Sequence, residues 1–197
     1  LNNRDHRKLM LIDGKVGFTG GVNLADEYIN EIERFGHWKD SAILVQGEAA
    51  WSMTVMFLTM WGYIREVEED YDRLRPDGQP PEASLGKGYY VQPYADNPLD
   101  NEPVGETVYL NLVSKAKQYV YITTPYLIVS DSLNTALCSA AKAGVDVRII
   151  TPHIPDKKIV FELTRAHYEP LLEAGVRIFE YTPGFIHAKN FAVDDVY

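Results

Sequence analysis

The chain predicts an α/β fold, a mixed β-sheet flanked by helices on both faces, and two observations carry that expectation. From residue 89 onward, β-prone and helix-periodic stretches alternate in the order β-α-β-α-β-α-β-β. Strands alternating with helices wrap those helices over a largely parallel sheet. The other observation is a repeated skeleton. His6, Lys8 and Asp13 stand in the spacing His-x-Lys-x4-Asp, and His187, Lys189 and Asp194 repeat it. The two histidines are 181 residues apart, so one repeat period nearly fills the 197-residue chain. The chain therefore reads as a slice of a longer two-repeat protein, with 1–75 the back part of the first repeat, 76–88 a linker and 89–197 the front part of the second.

Residues 7–13 and 15–19 predict two strands joined at Asp13-Gly14, a dipeptide that favours a tight hairpin turn. Gly20-Gly21 follows, either a place where backbone amides approach a ligand or a plain loop. Residues 25–33 predict a short polar helix, and 41–45 a strand that Gly47 ends. Over 48–72, Met53, Phe57, Met60 or Trp61, Ile64 and Val67 recur at helical spacing, with Trp51, Val55 and Leu58 as a second stripe. The Trp and Met residues of that helix are core packing, and Glu66, Glu68, Glu69, Asp70 and Asp72 are a solvated acidic end. Pro76, Pro80, Pro81 and three glycines mark the linker. Residues 89–94 then predict a strand, 96–103 a loop, 106–116 a helix with Val108, Leu112 and Val113 inward, and 119–124 a strand stopped by Pro125. Ser130 or Asp131 caps a helix that ends before Gly144. A strand over 145–151, a helix over 156–174 stopped by Gly175, and a strand over 176–181 lead into the second motif.

Within each motif the four residues between Lys and Asp are mostly apolar, which suits a buried strand. Alternation along such a strand puts His6 and Lys8 on one face, and His187 and Lys189 likewise. An imidazole beside a fixed cation can hold a phosphate and attack it. Asp13 and Asp194 fall on the opposite face, which gives them a supporting rather than a proton-transferring role.

The doubled motif resembles the signature of the phospholipase D superfamily, and the flanking text is similar to bacterial cardiolipin synthases. The similarity runs over Arg4 to Asn23, with Gly20-Gly21-Val22-Asn23 closing the first motif, over Thr124-Pro125-Tyr126, and over Tyr181 to Lys189. The fold it implies is the phospholipase D-like one, here as part of a two-repeat protein. The activity it implies is phosphatidyl transfer by a ping-pong route. One histidine attacks phosphorus to give a phosphohistidine while the other protonates the departing alcohol, then activates the incoming one. The commoner family assignment makes His6 the nucleophile and His187 the acid/base, although the residues alone are symmetric on this point. Lys8 and Lys189 neutralise the phosphoryl oxygens. The resemblance also implies that Asn23 donates its amide to a phosphate oxygen and that Asp40 orients a catalytic histidine, against the plainer reading of Asp40 as a surface carboxylate at a strand entrance.

Two phosphatidylglycerol molecules would give cardiolipin and glycerol; water as acceptor would make the site a phospholipase, and DNA as donor a nuclease. A formal charge of −9 disfavours the nuclease, because phosphate backbones need a basic footprint. A catalytically inert slice is the alternative from another class. No cofactor and no metal is called for: His37, His153 and His167 are scattered without ligand spacing. The single cysteine, Cys138, falls in an apolar helix and reads as a core thiol in a reducing compartment. No stretch reaches the roughly 20 apolar residues of a membrane span. The expected partners are a phospholipid substrate, phosphatidylglycerol first, and a membrane surface met through the longer protein on its cytoplasmic-type side. The slice itself is expected to be soluble, with no nucleic acid. The repeat arithmetic also allows 14–75 and 89–197 to pair as one permuted domain, within a chain or in a homodimer.

Overall fold

Asp13 and Gly14 turn the chain for the first time, both with positive φ (52° and 65°), and Lys15 N donates back to Ile12 O at 3.0 Å. Positive φ at both central residues is type I′ turn geometry, and with Ile12 opposite Val16 the connection is the three residues Asp13, Gly14 and Lys15. It joins β1 (Leu9–Ile12) to β2 (Val16–Gly20) in antiparallel register, and β4 (Ala42–Gln46) adds to the other edge of β2. The protein is described by a computed structural model covering residues 5–68, 70–77, 90–97 and 101–195. The chain divides into two compact units, one of Leu1–Gly20 with Ala42–Glu102, the other of Gly21–Ser41 with Pro103–Tyr197.

In the first unit the three-stranded sheet packs on α1 (Glu48–Arg65) through Val45, Ala50, Met53 and Leu58, all buried. Gly17 lets the helix come close: a Cβ there would stand 3.2 Å from Met53 Sδ. The helix expected over 48–72 stops at Arg65, where Glu66 turns left-handed (φ 53°) and donates its N–H to Gly62 O. The acidic run that follows opposes the negative end of the helix dipole. A single turn, α2 (Tyr71–Leu74), restarts behind Asp70, whose carboxylate accepts from Arg73 N at 3.2 Å. Most of the 76–88 linker and Tyr89 lie outside the described residues. Residues 90–94 form no strand, contrary to expectation, and Pro93 lacks the N–H that a ladder needs.

The second unit holds the main core. β5 (Tyr119–Thr123), β6 (Asp146–Pro152) and β7 (Arg177–Tyr181) are parallel in the order β7-β6-β5, and β9 (Asn190–Val193) runs antiparallel on the free edge of β5. Alternate strand residues Val120, Ile122, Val147, Ile149 and Val193 are buried in one cluster with Val113, Leu133, Leu137 and Leu171. The latter come from α3 (Val104–Lys115), α4 (Asp131–Lys142) and α6 (Tyr168–Glu173). Ser130 is the cap of α4, accepting from Leu133 N at 3.3 Å. The helix expected over 156–174 is two helices, α5 (Lys158–Ala166) and α6. Pro170 has no N–H to donate to Ala166, so the ladder breaks there.

The residues between the two glycines and Ser41 join this unit. Where a longer helix was expected over 25–33, Asp26–Ile29 is one 3₁₀ turn. β3 (His37–Lys39) pairs in parallel with β8 (Gly184–Ile186), Trp38 opposite Phe185. The strands touch so closely that a Cβ on Gly184 would lie 2.3 Å from His37 O.

Asp194 fastens the end of β9 to the start of β5. Its Oδ2 accepts from Lys117 N at 2.6 Å, and its Oδ1 from Gln118 N and Tyr119 N at 2.9 and 2.8 Å. The Tyr119 amide, aided by those of Lys117 and Gln118, holds this carboxyl below its ordinary value. A depressed carboxyl stabilises the fold above its unfolded pKa of about 3.9, and the contribution fades as pH falls through the lower folded value. Asp194→Asn should therefore lower the melting temperature at pH 7, with the gap to the wild type closing below about pH 4; thermal unfolding over a pH series measures it.

Candidate active site

His187 follows β8 directly and is 7% exposed. Its backbone N–H donates to Lys39 O at 2.7 Å, continuing the β3–β8 pairing by one bond. Its side chain meets the residue after Lys39: Nδ1 lies 2.8 Å from Asp40 Oδ2. An ionised carboxylate only accepts, so Nδ1 carries the proton and Nε2 of the neutral ring is left as the basic atom. Asp40 Oδ1 accepts from Ser41 N at 2.8 Å, so both oxygens are engaged. The Asp40 side chain is 4% exposed. Burial alone disfavours its charge, but the hydrogen bonds from His187 and Ser41 and the positive charge of His187 and Lys189 outweigh it, and the carboxyl is held below its ordinary value.

Aromatic rings wall the imidazole. Trp38 lies 5.3 Å away between ring centroids, Tyr28 meets it edge-on at 5.5 Å, and Phe185 stands at 6.0 Å. Asn23 reaches this wall rather than the imidazole: its Nδ2 donates to Tyr28 Oη. Two further side chains come from the carboxyl ends of the parallel strands, where open α/β sheets place their ligand sites. Tyr126, after β5, donates to Asp156 Oδ2, after β6, at 2.6 Å, and burial together with that carboxylate pushes the phenol up. The Tyr126 ring is 6.3 Å from that of Phe185.

The strand argument for the motifs does not hold at the His-x-Lys positions. His187, Ala188 and Lys189 form the connection between β8 and β9, and His6 and Lys8 precede β1. Strand begins only in the apolar part of each motif. Lys and His still meet, because the chain curls back. Lys189 Nζ donates to His187 O, and in the first unit Lys8 Nζ donates to His6 O at 2.6 Å and lies 2.9 Å from His6 Nδ1. Asp13 occupies the β1–β2 turn, and Asp194 the β9–β5 anchor. Of the sequence-derived residues, the second unit thus brings together His187, Asp40, Lys189 and, through Tyr28, Asn23; His6, Lys8 and Asp13 lie in the first unit. Gly21, whose amide could have faced a ligand, instead donates it to Ser41 O at 3.1 Å.

Tyr28, Trp38, Phe185 and Asp156 were not singled out from the sequence as site residues. Trp38 stands two residues before Asp40 and Phe185 two before His187, and that shared offset was the available signal. The remaining histidines are occupied separately, His37 with Tyr181 Oη, His153 with Glu180 and His167 with Leu163 O, each at 2.8 Å. Among the described residues no three His, Cys, Asp or Glu side chains gather as a metal site, and no helix is long and apolar enough to cross a membrane.

Residues 109–197 match a family described as cardiolipin synthase, PLD-like domain. An uncharacterised protein of Streptococcus mutans is 52% identical over 195 residues, 99% of this chain and 41% of its own. The cardiolipin synthase of Alkalihalophilus pseudofirmus is 40% identical over 195 residues, 98% of this chain and 38% of its own. The chain thus spans about two fifths of the length of these relatives. Among solved structures, the phosphatidylserine synthase of Haemophilus influenzae superposes with a TM-score of 0.57 at 16% identity, over 96% of this chain and 52% of that one. The fold is the phospholipase D-like α/β fold, and the resemblance to cardiolipin synthases runs along nearly the whole chain.

Asp40→Ala leaves the buried Nδ1–H of His187 without its acceptor. Leaving such a donor unsatisfied costs about 1–3 kcal/mol, which urea unfolding at pH 7 should register.

Proposed function

We propose that this chain carries the catalytic residues of a cardiolipin synthase-like phosphatidyltransferase, which turns two molecules of phosphatidylglycerol into cardiolipin and glycerol. The observation that carries this reading is the buried Asp40–His187 pair. Its carboxylate fixes the tautomer that leaves Nε2 basic, and it stabilises the imidazolium whenever Nε2 takes a proton. A group that must give a proton in one half-reaction and take one in the next needs that support in both directions. The similarity to cardiolipin synthases supplies the substrate class.

In the first half-reaction a nitrogen of His6 bonds to the phosphorus of one phosphatidylglycerol, and the bond from phosphorus to the glycerol headgroup oxygen breaks. His187, protonated on Nε2, passes that proton to the leaving oxygen, and glycerol departs. In the second, His187 Nε2 takes the proton from a headgroup hydroxyl of another phosphatidylglycerol. That oxygen attacks the phosphohistidine, the nitrogen–phosphorus bond breaks, and cardiolipin is released with His6 restored. Lys8 and Lys189 stand beside their own histidines, where an ammonium offsets charge on the phosphoryl oxygens. Both substrates are membrane lipids, so the reaction takes place at a bilayer surface.

Product analysis with dispersed phosphatidylglycerol in the presence of a chelator tests the proposal. Cardiolipin and glycerol should form in equal amounts, and His187→Ala should lower the rate by about 10²–10⁴-fold, the usual worth of a general acid/base. His6→Ala should remove the phosphoenzyme as well as the product. Phosphatidic acid in place of cardiolipin would identify water as the acceptor; no turnover by this chain or by a full-length relative carrying the same residues would overturn the reading. Because one histidine must be neutral while the other is protonated, the rate should follow a bell-shaped pH profile, and a flat profile between pH 5 and 9 would exclude the two-histidine exchange.

A further inference from the structure

The carboxylate of Asp40 occupies the space where residue 21 would carry a side chain. A Cβ built on Gly21 would stand 2.2 Å from Asp40 Oδ1 and 2.8 Å from both Cγ and Oδ2. Approaches under 3.0 Å are ones that real Cβ atoms essentially never show. Glycine is not required here by backbone conformation, since Gly21 is not among the residues with positive φ. It is required by space. A side-chain carboxylate at the surface would swing aside from such a methyl group, but this one cannot do so freely. It is buried, Oδ1 is held by Ser41 N, and Oδ2 is held by His187 Nδ1. Gly21 is itself buried and fixed through its own N–H to Ser41 O, so the backbone on the other side of the contact is tied to the same residue pair.

From this we infer that Gly21 is a positioning residue: by having no side chain it allows Asp40 to lie against His187 Nδ1, and so it sets the tautomer and aim of His187. The glycine that closes the first motif thereby serves the histidine of the second. A methyl group at position 21 displaces the carboxylate, the Nδ1 bond is lost, and the imidazole is free to rotate and to carry its proton on either nitrogen. The effect on turnover rests on the role proposed above for His187; the effect on the imidazole does not.

The test compares Gly21→Ala, Asp40→Ala and the double variant in the whole chain labelled with ¹⁵N-histidine. In the wild type, the Nδ1–H proton of His187 should give a downfield resonance, assigned by its loss in His187→Gln. Gly21→Ala should abolish that resonance while the signals of the other four histidines and the far-ultraviolet circular dichroism stay as they were. In phosphatidyl transfer, Gly21→Ala should lower kcat by about 10²-fold, the scale of a misplaced catalytic group, with KM changed less than twofold. The double variant should match Asp40→Ala alone, because removing the carboxylate vacates the volume that the new methyl needs, and coupled residues are non-additive. If Gly21→Ala does not fold, the double variant should fold again for the same reason. The inference is overturned if Gly21→Ala keeps the Nδ1–H resonance, if the double variant loses activity multiplicatively, or if it stays unfolded where Asp40→Ala folds. Failure of the transfer assay with the resonance behaving as expected would count against the activity and leave the positioning intact.

Discussion

A carboxylate and an imidazole buried side by side dominate the second unit, and burying them has a consequence for everything around. An ionised group taken out of water is costly unless it is paired and hydrogen-bonded. Asp40 meets that demand with two donors from different places, the amide of the next residue and a side chain 147 residues further on. The neighbouring structure supplies what the pair needs. The parallel β3–β8 pairing brings the two stretches into register, the His187–Lys39 bond extends it by one step, and glycines at 21 and 184 let the chains approach. The rings of Trp38, Tyr28 and Phe185 then cover the pair from water. A low-dielectric surrounding strengthens the bond between the two groups and raises the penalty for either one left alone.

Much of the second unit was legible because its elements are bounded by residues with one dominant preference. The Tyr-Val-Tyr-Ile-Thr run, Ser130 before its helix, and Gly144 and Gly175 after theirs all sit where the sequence put them. The motifs were legible as a repeat of residue types, but their local geometry was not. Strand alternation was extended over His-x-Lys, where the chain is in fact a connection, and the lysine reaches its histidine by curling back to a backbone oxygen. Two breaks went unread although their causes are visible in single residues: Pro170 inside an otherwise periodic helix, and Pro93 inside a run of β-prone residues.

Apart from the role that the family resemblance implied for Asp40, relations that depend on distant chain segments being adjacent were not legible in the residues themselves. Nothing local to Trp38-Lys39-Asp40 says that its carboxylate faces inward to an imidazole near the other end of the chain. A surface role was the simpler local reading, since lone carboxylates are seldom buried. The same holds for Gly21. As text it was one of two loop glycines with amides to offer. Its function in the fold is defined by a volume it leaves to another residue, and a volume has no sequence signature.

The β3–β8 pairing also bears on inheritance. Positions 21, 38 and 40 precede 185 and 187 by most of the length of this chain, yet in the fold they form one packed object. A recombination joint anywhere in the middle of the chain would unite a carboxylate, its vacated volume and the Tyr28 and Trp38 rings from one ancestor with an imidazole and the Phe185 ring from another. Chimaeras between diverged relatives would therefore be tolerated only where those five positions already agree, which makes the proline-rich stretch between the motifs a poor crossover point in spite of its permissive composition.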